Sequence, residues 1–241
     1  MEMRIGTSGW HYAHWKGPFY PKDLPAGRFL EYYVRRFDTV EINNSFYRLP
    51  QKETLKRWRE DTPEGFLFTA KASRYITHMK KLKMPEEALQ TFFETIRCLD
   101  RKLGPVLFQL PPRWRLNEDR LKEFLSLLPR DFRYAFEFRN PTWFDEKTYK
   151  ALSAKNAAFC MYDIEGRRSP KMVTADFVYV RLHGPAAEAY RGSYDSSVLA
   201  EWAGAFRKWM EQGIDIFCYF DNDEAGYAVG DALRLKTMSA Q

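Results

Sequence analysis

Cysteine and histidine are scarce in these 241 residues, three and four respectively, and the scarcity removes several classes of protein at once. Cys98, Cys160 and Cys218 are odd in number and share no short spacing, which leaves neither a disulfide framework nor a zinc ribbon. Cys160 and Cys218 fall inside apolar runs, where cysteine acts as a small hydrophobe, so a reduced, cytoplasmic protein is expected. His11 and His14 are too close together in an expected loop for the two-histidine helix pattern of a metal site, and only His78 and His183 remain. No apolar stretch approaches the roughly 18 residues of a membrane helix. The N-terminus also lacks a basic segment followed by an apolar one, so neither membrane spanning nor secretion is expected. Low-complexity segments and linkers are missing too, which points to a single domain over residues 1–241.

What is present is a globular composition, 45% hydrophobic and 17% aromatic, with a formal net charge of +6 that favours an anionic partner or serves solubility alone. Eight short apolar runs, near 3–7, 39–43, 66–70, 105–110, 133–138, 157–162, 177–183 and 215–220, are rich in Val, Ile, Phe and Tyr, as buried strands are. Each stops on polar side chains. Between most of them lie helical patterns. Leu89, Phe92, Phe93, Ile96 and Leu99 form one stripe over 85–103, with Pro85 suited to the first turn. Asn117 and Asp145 are placed to cap the next two helices, and Val198, Trp202, Phe206 and Trp209 mark a later one stopped by Gly213. Strand then helix, repeated about eight times, predicts an α/β fold of the TIM-type (β/α)8 class, with a doubly wound open sheet as the competitor. The connection between the sixth and seventh strands, Ile164 to Asp176, is too short and basic for a full helix and is expected to be irregular.

Side chains two apart on a strand share a face, so Glu41 with Asn43, Glu137 with Arg139, and Arg181 with His183 form three pairs that point inward together. They fall at strand C-terminal ends, where barrel enzymes carry their chemistry. Lys71, Arg139, Arg181 and, when protonated, His183 place cations around a space that Glu41, Glu137 and either Asp221 or Asp223 enter from other strands, with Gln109 also at a strand end. That mixture suits an anionic substrate held by arginines while a carboxylate or histidine moves a proton. Mutual neutralisation of Glu137 and Arg139 is the structural alternative. The cations would repel a carboxylate-bound magnesium, so no metal and no other cofactor is expected. After the seventh strand, Arg191, Gly192 and Ser193, joined by Asn222, could cradle a phosphate; Gly-Ser-Tyr-Asp also works as a plain loop and helix cap. The loop from Gly9 to Tyr20 is aromatic, and Trp10 there, with Tyr47 elsewhere, could stack on bases or sugars or plug the barrel mouth.

Taken in order, Ile5-Gly6-Thr7-Ser8-Gly9-Trp10, Phe37 to Asn43 with Ser45-Phe46-Tyr47, Phe108-Gln109-Leu110-Pro111-Pro112, Phe136-Glu137-Phe138-Arg139, Arg181-Leu182-His183-Gly184 and Tyr219-Phe220-Asp221-Asn222 resemble the YecE-like proteins, also called domain of unknown function 72. The resemblance runs over nearly the whole chain. It implies a TIM-type barrel and a cytoplasmic protein, and no settled reaction. The fold is also like that of apurinic endonucleases and sugar isomerases, whose histidine-rich metal ligands this chain lacks.

The resulting expectation is a metal-independent hydrolase or lyase for a phosphate-bearing substrate, a nucleotide or nucleic acid. Arg139, Arg181 and Lys71 would hold the anion, Glu41 or Glu137 would be the base and His183 the acid. A carbohydrate-active barrel using Glu41 and Glu137 is one alternative, and a non-catalytic nucleic-acid-binding module is the other. No membrane partner is expected, and oligomeric state is not legible in these residues.

Overall fold

A computed structural model describes residues 1–83 and 86–240. Its strands are β1 (Met3–Thr7), β2 (Thr39–Ile42), β3 (Leu67–Lys71), β4 (Leu103–Leu110), β5 (Tyr134–Phe138), β6 (Ala157–Ile164), β7 (Arg167–Arg168), β8 (Phe177–Leu182) and β9 (Asp215–Phe220). All except β7 run parallel, in the order β1-β9-β8-β6-β5-β4-β3-β2. The seam between β1 and β2 is closed by a parallel bridge from Ser8 to Glu41, and the Gly9 N–H donates to the Glu41 carbonyl at 2.8 Å. Gly6 permits that approach, because a Cβ there would lie 2.4 Å from the Thr39 carbonyl oxygen. The eight parallel strands thus form the expected TIM-type barrel.

The helices are α1 (Phe29–Tyr33), α2 (Lys52–Glu60), α3 (Glu86–Ile96), α4 (Glu118–Leu127), α5 (Glu146–Ala154), α6 (Ser196–Glu211) and α7 (Tyr227–Ser239). Asn117 and Asp145 cap α4 and α5 through side-chain oxygens that accept from the Arg120 and Lys147 N–H groups. The stripe expected to be helical over 85–103 divides. Leu89, Phe92, Phe93 and Ile96 are buried on α3, while Leu99 lies in a 3-10 stretch, Arg97–Lys102, broken by Asp100 at φ 51°. Pro85 lies outside the described residues. The connection from β6 to β8 carries no helix; it folds back as β7, paired antiparallel with the end of β6.

Alternation along the strands fills the barrel in layers that become more polar toward the C-terminal ends. At the N-terminal end, Phe177 and Phe217 pack against the Arg133 guanidinium at 5.3 and 5.8 Å, and Leu107, Ala135, Ala158, Tyr179 and Tyr219 follow above them. The tyrosine hydroxyls begin the change: Tyr219 bonds Thr39 at 2.7 Å and Tyr179 bonds Thr69 at 3.1 Å. A bulge between β3 and β4, where Gly104 and Pro105 oppose Thr69 alone, sets Lys71 beside Leu107. Pro105 has no N–H to give a ladder, which is why the irregularity falls there.

Candidate active site

The next layer up is a charge cluster centred on Arg181, the penultimate residue of β8, whose side chain is completely buried. Its Nε donates to both Glu41 carboxylate oxygens at 3.2 and 3.0 Å, and its Nη2 to Glu41 Oε1 at 2.7 Å. Nη1 donates to Glu137 at 2.9 Å, and Nη2 also reaches Asp221 at 3.0 Å. Three carboxylates from β2, β5 and the end of β9 therefore converge on one guanidinium. The cationic charge that a divalent ion would bring between them is already supplied by Arg181. Among the described residues, no group of three or more His, Cys, Asp or Glu side chains is arranged to hold a metal ion.

Glu41 also accepts from the Ser8 hydroxyl and from Tyr179 Oη at 2.7 Å, so both oxygens are committed. Glu137 is bonded in addition by Arg139 Nε. Burial pushes the Glu137 carboxyl up, but Arg139 and Arg181 outweigh it and hold it well below the usual carboxylate range. The Asp221 carboxyl is likewise lowered, with the Arg181 guanidinium overcoming its burial. The guanidinium of Arg181 is raised in turn: burial opposes its charge and the three carboxylates restore it.

His183 is fully buried, with Nε2 2.9 Å from Arg139 Nη2 and 3.3 Å from Arg181 Nη1. Guanidinium N–H groups only donate, so Nε2 is assigned as the acceptor and the ring proton lies on Nδ1. That nitrogen is 3.0 Å from an Asp221 oxygen, although the angle falls short of a hydrogen bond. The proton assigned to His183 therefore faces Asp221.

Lys71, at the end of β3, differs from its neighbours. Nζ donates to Asn43 Oδ1 at 3.2 Å and lies 4.5 Å from the centre of the Phe46 ring. Burial, then repulsion from Arg181, lowers its pKa to about 8.

Glu41, Glu137, Arg139, Arg181 and His183 from the three expected inward pairs thus come together as an interlocked network, while Asn43 bonds Lys71 beside it. Outside it, a cleft of about 640 Å³ opens at the same end of the barrel, lined in part by Gln109, Arg139, Tyr162, Arg167, Arg168 and Tyr190. Arg139 belongs to both, and its guanidinium carbon lies 4.8 Å from the centre of the Tyr162 ring. Arg168 is shared with Asp163 and Glu201, and Arg167 with Glu165.

Other expected site residues are not brought to this cleft. Ser193 Oγ donates to Asp231 at 2.7 Å, the Tyr194 N–H at 2.9 Å, and Asn222 Nδ2 at 2.8 Å, with Arg234 beside them. The loop expected to cradle phosphate is filled by a carboxylate from α7. Arg191 lies apart on the surface, paired with Glu188 and Glu224. Trp10 is buried edge-on against Trp58 at 4.8 Å, a core residue rather than a stacking platform. Tyr47 is 73% exposed and meets the Phe46 ring edge-on at 5.1 Å. Sequence reasoning passed over Ser8, Tyr179, Arg167, Arg168 and Asp231. Tyr179 was signalled by its place two residues before Arg181 on the same strand face. The arginine pair lay in the connection set aside as irregular.

A glycosidase reading required the Glu41 and Glu137 carboxyls to flank a bond. Both are fully buried and bonded to Arg181, with the guanidinium between them.

The family described as "Protein of unknown function DUF72" matches residues 4–241. The UPF0759 protein YunF of Bacillus subtilis is 24% identical over 96% of this chain and 92% of its own length. The UPF0759 protein YecE of Escherichia coli is 35% identical, over 48% of this chain and 43% of that protein. Among solved structures, a DUF72 family protein of Thermotoga maritima superposes with a TM-score of 0.88 at 28% identity, covering 100% of both chains. D-Psicose 3-epimerase of Clostridium cellulolyticum, crystallised with D-tagatose, aligns at a TM-score of 0.56 and 8% identity over 100% of this chain and 96% of its own, a likeness of fold alone.

Proposed function

The chain belongs to the family of proteins of unknown function DUF72, and from that premise we propose that it is an enzyme, a hydrolase or lyase for a phosphate-bearing substrate. The substrate enters the cleft at the C-terminal ends of β4 to β6 and draws its electrostatic stabilisation from arginines. One observation carries this reading: Arg139 lines the cleft while its Nε and Nη2 are anchored on Glu137 and His183. A donor fixed from behind presents the rest of its guanidinium to a ligand without first being ordered, which is how preorganised sites gain from electrostatics. Glu41 and Glu137, both buried and saturated, act here as the frame that orients Arg181 and Arg139. The volume of about 640 Å³ suits a ligand of nucleotide size or smaller.

Thermal unfolding with inorganic phosphate, nucleotides, sugar phosphates and short oligonucleotides tests the reading. A phosphate-bearing ligand is expected to raise Tm saturably, and Arg139→Gln to abolish that rise relative to its own ligand-free Tm. No stabilisation by any of these anions, or a rise that Arg139→Gln leaves intact, overturns it.

A further inference from the structure

Lys71 is the cation that the charge cluster does not use. Among the described residues it makes no ion pair within 4.0 Å, whereas Arg181 bonds three carboxylates and Arg139 one. Among the described residues the one hydrogen bond of its side chain is to Asn43, and that side chain is buried at the end of a strand whose C-terminal neighbours face the barrel mouth. A structural lysine held in such surroundings would be expected to seek a carboxylate, because a buried charge without a partner is costly. Glu41, Glu137 and Asp221 all influence it, yet each is turned toward Arg181 instead.

We propose that Lys71 is a nucleophile that condenses with the carbonyl carbon of a phosphate-bearing aldehyde or ketone whose phosphate is held at Arg139. This rests on the reading of the cleft given above and deepens it. Gln109 on β4 and Arg139 after β5 line the cleft, and β3, which carries Lys71, pairs directly with β4. Burial and the charge of Arg181 bring the Lys71 ammonium to about pKa 8, so near neutral pH its amine is available far more often than that of a surface lysine. The Asn43 amide oxygen accepts from Nζ and steers the side chain, and the Phe46 ring walls off one side.

The step is balanced without an oxidant or cofactor. The ammonium first gives up a proton, and the freed lone pair adds to the carbonyl carbon while the C=O π pair moves to oxygen. The released proton, taken up by solvent, returns to the carbinolamine hydroxyl, and that oxygen then leaves as water. The water carries away two of the three protons of the original ammonium, and a protonated C=N bond remains on Nζ. This iminium attracts the electron pair of a bond to the adjacent carbon, which is the requirement of a lyase rather than a hydrolase.

Trapping with sodium cyanoborohydride, using glycolaldehyde phosphate and glycolaldehyde as probes and peptide mass mapping as the readout, tests the proposal. The Lys71 peptide is expected to carry the reduced adduct, formed about tenfold faster with the phosphorylated probe because binding holds the reactants together. Arg139→Gln should remove that difference. Lys71→Met and Lys71→Arg should lose the adduct while keeping the thermal response to inorganic phosphate. If Lys71 is modified no faster than surface lysines while phosphate still stabilises the protein, the imine proposal fails and the cleft reading stands. If Lys71 reacts equally with both probes and phosphate gives no stabilisation, the phosphate reading fails, and with it the substrate class proposed here.

Discussion

Around Asp231 and around Arg139 the barrel mouth holds two sets of donors suited to an anion, and they differ in what they face. At the first, Ser193, the Tyr194 N–H, Asn222 and Arg234 close on a carboxylate of the chain itself, from a residue only 1% exposed. At the second, Arg139 is anchored by Glu137 and His183 from within and borders a cleft. The donor chemistry is the same. What separates a structural contact from a binding site is whether the acceptor is covalently part of the protein.

The sharpest way to break that difference is to remove the internal acceptor. Asp231→Ala leaves the Tyr194 N–H and Asn222 without their partner in a buried setting, each such loss costing about 1–3 kcal/mol. Together with the ion pair to Arg234, a total near 4 kcal/mol is expected, read by urea unfolding. The truncated variant should also gain what the native loop lacks, a stabilisation by acetate or phosphate that parent protein does not show there. A loss under about 1 kcal/mol would mean that the loop does not depend on its carboxylate.

A pH titration sharpens the comparison at the second site. Lys71 ionises at about 8 in the folded protein against 10.5 as its ordinary value, so between these the unfolded chain binds more protons. Stability should therefore rise with pH across that window, by up to about 3 kcal/mol. Below pH 8 the full cost of the buried ammonium is present. Lys71→Met should flatten this part of the profile, and an unchanged slope would place the titration on another group. Glu137 and Asp221 act with the opposite logic: their lowered values contribute stability above 4.5 and 3.8, lost as the pH falls further through the folded values.

The pattern of what the residues alone reveal follows from the same contrast. Strands declare their inward faces by a period of two, so Glu41, Glu137, Arg139, Arg181 and His183 are gathered by their spacing alone. Spacing did not reveal that all three carboxylates spend their lone pairs on one guanidinium, because that depends on which rotamers meet across the barrel. Loops declare donors but not acceptors. Ser193 and Asn222 were legible as anion donors, whereas Asp231 lies 38 and 9 residues further along, on a helix with its own periodic logic. Trp10 was left open between a stacking and a packing role for a related reason: its place in a loop fits either, and the contact with Trp58 from α2 reveals it as core.

Arg191 provides the smallest test and the cleanest control. It was expected in the phosphate loop, yet its side chain is 54% exposed and shared between Glu188 and Glu224, which are themselves exposed. Exposed pairs of this kind contribute between nothing and about 1 kcal/mol, since water screens them and holding long side chains in place costs entropy. Arg191→Ala should therefore leave Tm within a few degrees of the parent and leave the thermal response to phosphate unchanged, while Arg139→Gln removes that response. Should Arg191→Ala weaken the response as much as Arg139→Gln does, the anion would have to bridge the loop and the cleft. The division between a self-filled site and an open one would then give way to a single site spanning both.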